Sequence, residues 1–421
     1  MTIKELLIGR EDCTCGKSHK CAIDSVVIGK NACESLKELC ADYNNILLVA
    51  DTNTFAVGGK QVQSMIGDKI ENIHIFNTTS VLVPNEQALA AIEAKLTDKT
   101  ELIIGIGSGV INDLCKHVSY NAGLRYYIVA TAPSMDGYAS KGAALILDGM
   151  KITTNADVPK AIIGDVDILK NAPFDMIQAG YGDIIGKYSC LNDWKLANLV
   201  NGEYLCEFVI NATYEAVEKT VRLADGLNKR DTDAICALME ALVAVGILMA
   251  YVGNSRPASG SEHHFSHYFE IVGIVRGEDY LPHGIDVCYS AIETAKIREE
   301  LASIENISEY EYNFNKELYE ANIRRVYGKL AEEVLALQNK LGWYNVDRVK
   351  IYREKWQEIR KLLAECPTSE QMRELTERVG LSYDSFKEFY GEDKIKDAYL
   401  YAKDLKDRYS VLWMYYDLFA K

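Results

Sequence analysis

Apolar residues follow two different rhythms along this chain. In the first 171 positions the segments SVVIG (25–29), NILLVAD (45–51), NIHIF (72–76), ELIIGIG (101–107) and YYIVAT (126–131) are largely apolar runs of strand length. Strands covered on both faces have this texture. Between them, NEQALAAIEAKLTD (85–98) spaces its apolar residues at helical period. The alternation is the βαβ rhythm of a mostly parallel sheet. After NAPFD (171–175), with Pro173 as a hinge, the strand-like runs stop. Helical period continues to the end, as in KIREELASI and VYGKLAEEVLALQNKLGWY. The pattern predicts an α/β, Rossmann-like domain over 1–171 and an all-α domain over 172–421.

One segment, AICALMEALVAVGILMAYVG (234–253), is long and apolar enough to raise the question of a bilayer span. Glu240 lies inside it and its flanks lack clear anchors, so it is expected to be a buried core helix without membrane insertion. A length of 421 residues implies two domains with a common cleft. With 46 Lys+Arg against 61 Asp+Glu, the formal charge of -15 and the absence of a basic stripe argue against nucleic acid as a partner. The 11 cysteines are scattered and odd in number, which fits a reducing cytoplasm better than a disulfide framework. MTIKELLIGREDCTCG has no apolar core followed by a small-residue cleavage site and is not read as a signal peptide.

Candidate chemistry falls in six places. ELIIGIGSGVINDLCK (101–116) is a strand, a Gly107-Ser108-Gly109 turn and a helix start, which suits a pyrophosphate on free backbone N–H groups. The strict GxGxxG fingerprint is absent, and a purely structural turn is the competing reading. Asp51 closes the strand NILLVAD, where its carboxylate is either a ribose ligand or an ordinary strand-end acid. In ATAPSMDGYASKG (130–142), Thr131, Ser134 and Ser140 surround Asp136 in a loop at a strand end, the edge where open α/β sheets bind ligands. In AGYGDIIGKYSCLNDWKLAN (179–198), Asp183 and Lys187 share a helix face, as a surface ion pair or beside a ligand admitted by the bordering glycines. SGSEHHFSH (259–267) and His283 hold four of the chain's seven histidines. A helix there puts His263 and His267 on one face and His264 on another; two histidines with a carboxylate, Asp183 foremost, form a catalytic-metal set. Finally, CTCGKSHKC (13–21) offers Cys13, Cys15, His19 and Cys21 as possible ligands, although C-x-C is not the usual structural-zinc spacing.

In combination and order, GIGSGVIND, TAPSMDGYAS, GYGDIIGKYSCLNDWKLA, SRPASGSEHHFSH and LPHG resemble the sn-glycerol-1-phosphate dehydrogenases. These belong to a superfamily with glycerol dehydrogenase, iron-containing alcohol dehydrogenases and dehydroquinate synthase. The similarity spans roughly residues 20–300. It implies a dehydroquinate synthase-like fold, NAD or NADP, a divalent metal (zinc first, nickel or iron permitted), a phosphorylated triose substrate and a homo-oligomer. Position by position it implies Asp183, His263 and His283 as metal ligands, and Asp136 and His267 as substrate contacts. Asp183 can also face the substrate, and Lys187 is a candidate for its phosphate. Gly107, Ser108, Gly109, Val110, Asn112, Asp113, Thr131, Ser134 and Ser140 match cofactor positions, with Asp51 on the adenosine ribose. A dehydrogenase of another polyol such as glycerol, a dehydroquinate synthase-like lyase and a non-catalytic binding protein are the alternatives. The tract 290–421 exceeds compact archaeal relatives and resembles longer bacterial ones, as a cap on the metal domain or an oligomer interface. The Cys13–Cys21 patch lies outside the shared pattern.

Overall fold

The computed structural model describes residues 1–77, 82–147 and 150–420. Its contacts divide the chain into two compact units: Met1–Gly180 with Glu215–Asn254, and Tyr181–Tyr214 with Ser255–Lys421. This grouping does not follow one cut near Pro173. The apolar helix Thr232–Val252 belongs with the sheet unit, where it packs against the strand Ser25–Gly29 and the short 3-10 turn Asp136–Ala139. By length and composition it passes as a membrane span, yet 78% of its most apolar window is buried inside the protein. It is a core helix, apolar all round because protein surrounds it.

Six parallel strands form the sheet of the first unit: β1 (Ser25–Gly29), β2 (Ile46–Asp51), β3 (Ile70–Phe76), β4 (Leu102–Gly107), β5 (Arg125–Ala130) and β8 (Ala161–Asp165), in the order β1-β8-β5-β4-β2-β3. Ile46, Leu48, Ile104, Ile106, Val129 and Ile163 are fully buried in its core. The edge strand β3 exposes Glu71 and Ile75, and the other edge strand, β1, is half-buried along its length. The chain steps from β2 outward to β3, then back across β2 to β4. Strand order therefore reverses between β2 and β4, whose carboxyl ends are Asp51 and Gly107. That reversal is where open α/β sheets bind dinucleotides. Two strands absent from the sequence reading, β6 (Gly142–Leu147) and β7 (Met150–Asn155), pair as an antiparallel hairpin.

Helices make up the second unit. Ser261–Arg276 and His283–Ser303 pack side by side with Lys187–Asn201, and a run of shorter helices continues to Val411–Phe419. Arg348 forks onto both oxygens of Asp417 at 2.7 Å, and Tyr352 donates to the same carboxylate at 2.7 Å. The C-terminal tract is thus bonded into the unit's interior. The α/β plus all-α class read from the sequence is the observed fold.

Candidate active site

In the first unit the glycine turn ends β4 and starts the helix Gly109–Ala122, whose N-cap Ser108 makes no side-chain bond to the first turn. A Cβ on Gly107 would stand 2.6 Å from the Ile111 Cβ. The turn therefore needs a residue without a side chain there. Asp51 accepts from the N–H groups of Asn53 (2.8 Å) and Thr54 (2.9 Å), both on Oδ1. Ala50 pairs with Ile106, so Asp51 and Gly107 close neighbouring strands on one edge.

Other predicted cofactor residues turn toward the 131–142 loop. The Asn112 side chain donates to the Gly137 carbonyl at 3.4 Å and accepts from the Tyr126 hydroxyl at 3.3 Å. Asp113 Oδ2 accepts from the N–H of Ala144 at 3.1 Å. Thr131 N–H donates to the Gly107 carbonyl at 3.0 Å, and Ser140 Oγ donates to that of Gly137 at 3.0 Å. Val110 lies in the first helical turn, and Ser134 and Asp136 are half-buried in the loop. At the centre is Lys116, which the sequence reading missed. It is fully buried and donates to the carbonyls of Gly137 (3.0 Å), Ser140 (3.2 Å) and Gly142. Burial pulls its ammonium below the usual lysine value, against the pull of Asp113 at 3.3 Å. It ties the glycine helix to the loop that carries Asp136.

In the second unit, Asp183 is buried on the helix Phe174–Ile185. Lys187 Nζ donates to Asp183 Oδ1 at 2.6 Å and to the Ala258 carbonyl at 3.0 Å. His263 Nε2 lies 3.5 Å from the same Oδ1, while its Nδ1 meets Glu262 Oε1 at 2.7 Å. The His263 ring is 5.1 Å from that of His283 and 6.0 Å from that of His267, and His267 stacks on His283 at 5.4 Å. His283 Nδ1 meets Ser266 Oγ at 3.1 Å. Both ligand candidates thus have Nδ1 occupied by a neighbour, the arrangement that orients Nε2 toward a metal.

Burial raises the Asp183 carboxyl, but the Lys187 ammonium, His263 and His283 outweigh it and hold the group well below the usual carboxylate range. Burial lowers His263, but its bonds to Asp183 and Glu262 carry it above the usual imidazole value. His264 is turned elsewhere: it is fully buried, and burial with Arg408, Lys406 and Arg256 nearby keeps its ring neutral. A buried carboxylate and two oriented imidazoles fit a divalent ion.

Two expectations change. The Asp183–Lys187 pair is buried, not a surface pair. The glycines around it make room for other helices: a Cβ on Gly182 would stand 2.2 Å from the Gly284 carbonyl, and one on Gly186 2.6 Å from Val287 Cγ1. That close approach is what brings Asp183 beside the helix opened by His283.

The supporting layer was missed as well. Asp193 is fully buried; Oδ2 accepts from Ser261 N–H at 2.6 Å, Oδ1 accepts from Val411 N–H at 2.9 Å, and Arg298 pairs with it at 2.8 Å. It thereby fixes the start of the histidine helix. Tyr390 donates to Asp286 at 2.9 Å and accepts from Leu281 N–H at 3.0 Å, anchoring the turn before His283 from the C-terminal tract.

A parallel sheet unit and a helical unit together have the fold of the iron-containing alcohol dehydrogenases. The family profile of that description matches residues 27–173. The maleylacetate reductase of Rhizobium sp. strain MTP-10005 superposes with a TM-score of 0.61 at 10% identity, covering 94% of this chain and 96% of that one. At that identity the likeness shows the fold alone. The chain is 34% identical over 288 residues to the glycerol-1-phosphate dehydrogenase [NAD(P)+] of Halalkalibacterium halodurans, covering 67% of this chain and 72% of that protein. It is 30% identical over 410 residues to the protein of the same name from Bacillus licheniformis, covering 95% and 90% respectively. The chain belongs to the glycerol-1-phosphate dehydrogenase family, a family of oxidoreductases. The alignment over 95% of the chain takes in the long C-terminal tract, which is shared architecture.

Proposed function

We propose that the protein interconverts dihydroxyacetone phosphate and sn-glycerol 1-phosphate with NAD(P)H and a divalent metal. One observation carries this reading: Asp183, His263 and His283 are gathered with oriented imidazoles in a chain whose full-length relatives carry that activity in their names.

When bound, a divalent metal supplies a Lewis acid for the ketone oxygen. Asp183, His263 and His283 would hold it, with Glu262 and Ser266 fixing the two rings. Reduction of the ketone leaves an oxygen that must take up a proton, and His267, stacked on His283, is the donor. Lys187 has its ammonium on Asp183 and the Ala258 carbonyl, which favours positioning of the ligand over contact with the substrate phosphate. Asp136 orients the substrate hydroxyl.

In the first unit, the N–H groups at Gly109 and Val110 receive the pyrophosphate, with Gly107 and Ser108 shaping the approach. Asn112, Asp113, Thr131, Ser134 and Ser140 shape the adjoining loop. Asp51 takes the ribose hydroxyl through Oδ2, which favours NAD over NADP. Zinc is the first metal candidate; the same donors admit nickel or iron. A cytoplasmic location and a homo-oligomer belong to this proposal, and the scattered, odd-numbered set of 11 cysteines supports the former.

The test is NADH oxidation by metal-reconstituted protein with dihydroxyacetone phosphate or unphosphorylated dihydroxyacetone. Turnover of the phosphorylated ketone alone, lost in His263→Ala, is expected. Preference for dihydroxyacetone would replace the reading with a glycerol dehydrogenase.

A further inference from the structure

We propose that Cys13, Cys15 and His19 form a second metal site, structural and thiolate-rich, in the N-terminal hairpin of the sheet unit. It is separate in donors and in unit from the Asp183 cluster and does not depend on the catalytic reading. The ligand atoms of the three residues lie within 4.8 Å of one another, and Cys15 Sγ is 3.3 Å from His19 Nε2. A thiolate and an imidazole on one tetrahedral zinc ion stand about 3.6 Å apart, given ligand bonds of about 2.3 and 2.05 Å. Cys21, the fourth candidate in the motif, instead has its thiol 4.0 Å from the Ile23 carbonyl.

The backbone is built for the cluster. Arg10 and His19 exchange both N–H···O bonds at 2.8 Å, closing a hairpin around the two cysteines. Gly9 must be glycine there, because a Cβ would stand 2.6 Å from the His19 carbonyl oxygen. Within the hairpin, Gly16 N–H donates to the Cys13 carbonyl at 2.9 Å, and Gly16 has φ +80°, a left-handed conformation that suits glycine. This tight turn points two thiols the same way despite their C-x-C spacing.

The histidine is prepared as a ligand too. His19 is fully buried, its ring stacks on Tyr251 at 5.2 Å, and its Nδ1 lies 3.3 Å from the Tyr251 carbonyl oxygen. A proton on Nδ1, donated to that carbonyl, leaves the Nε2 lone pair facing Cys15. Two thiolates and one neutral imidazole supply three of the four donors of a tetrahedral site and select a thiophilic divalent ion, with zinc the first choice. On binding, the two thiol protons pass to solvent and no redox change occurs. The ion would staple residues 9–19 to the end of the core helix that carries Tyr251.

The experiment uses the full-length protein, stripped of metal and titrated with Co(II) under reducing conditions. The Asp183 cluster has no sulfur, so a near-ultraviolet sulfur-to-cobalt charge-transfer band reports the hairpin alone. The expected result is such a band in the wild type and in His263→Ala, with its loss in Cys13→Ser/Cys15→Ser. Zinc content should fall by one equivalent per chain in either variant. His19→Asn, with both thiols kept, should shift the band and weaken binding, which decides the matter should the double-serine variant fail to fold. Absence of the band from the wild type, with all zinc lost in His263→Ala, would overturn the proposal.

Discussion

His263 Nε2 stands 3.5 Å from Asp183 Oδ1, wider than a strong hydrogen bond. It is close to the roughly 3.4 Å between two ligands each about 2.1 Å from a tetrahedral ion. Glu262 on the far side of the ring maintains the orientation. Glu262→Gln should therefore leave the fold intact and weaken metal affinity about 10–100-fold, the usual effect of losing a partner behind a ligand. Isothermal titration of the stripped protein checks it.

Lys187 is the countercharge of Asp183, and both side chains are buried. Removing one member of a buried pair costs about 3–5 kcal/mol. Lys187→Met should lower the stability of metal-free protein by that amount and of metal-loaded protein by less, because a bound cation compensates Asp183. Denaturant melts with and without metal give the two values. Equal losses would mean that Lys187 and the metal do not share Asp183.

Gly107 faces Ile111 with no space for a methyl group. Gly107→Ala should shift the helix start and raise the dissociation constant of NADH at least about tenfold, roughly 1.4 kcal/mol, with metal content unchanged. Fluorescence titration with NADH separates the two.

Asp51 Oδ1 caps its own turn, and Oδ2 is the atom proposed to meet the ribose. Asp51→Ser keeps a capping oxygen and removes the charge that repels a 2′-phosphate. The ratio of kcat/KM for NADPH over NADH should rise about tenfold or more in steady-state assays. An unchanged ratio would remove Asp51 from cofactor selection.

Asp286 is pushed well above the usual carboxylate value by burial, against the Tyr390 hydrogen bond. The folded state then holds its proton more tightly than the unfolded chain does. Its contribution to stability is full below the unfolded value, about pH 4, and is lost as pH rises through the folded one. Asp286→Asn should therefore be more stable than wild type at pH 7, with the advantage vanishing at pH 4. Thermal melts across that range test the sign.

The central strands were legible because burial on both faces writes itself as unbroken apolar runs, as in ILLVAD and LIIGIG. The β6–β7 hairpin was not, because GAALIL opens on three small residues and MKITTN interrupts its apolar positions with Lys151, Thr153 and Thr154. The ligand candidates were readable from the concentration of histidines around 259–283. Their supports were not. Asp193, Arg298 and Lys116 act through contacts far apart in sequence, and nothing in their local pattern separates them from surface charges. The glycines near Asp183 stand out in the sequence, but their spacing does not say whether a ligand or a second backbone fills the room.

The most direct test is the configuration of the product formed from dihydroxyacetone phosphate and NADH by zinc-loaded protein. Formation of sn-glycerol 1-phosphate alone, abolished when His263 is replaced by alanine, is the expected result. Formation of the 3-phosphate, or undiminished turnover in His263→Ala, would contradict the assignment of this cluster as the reducing centre.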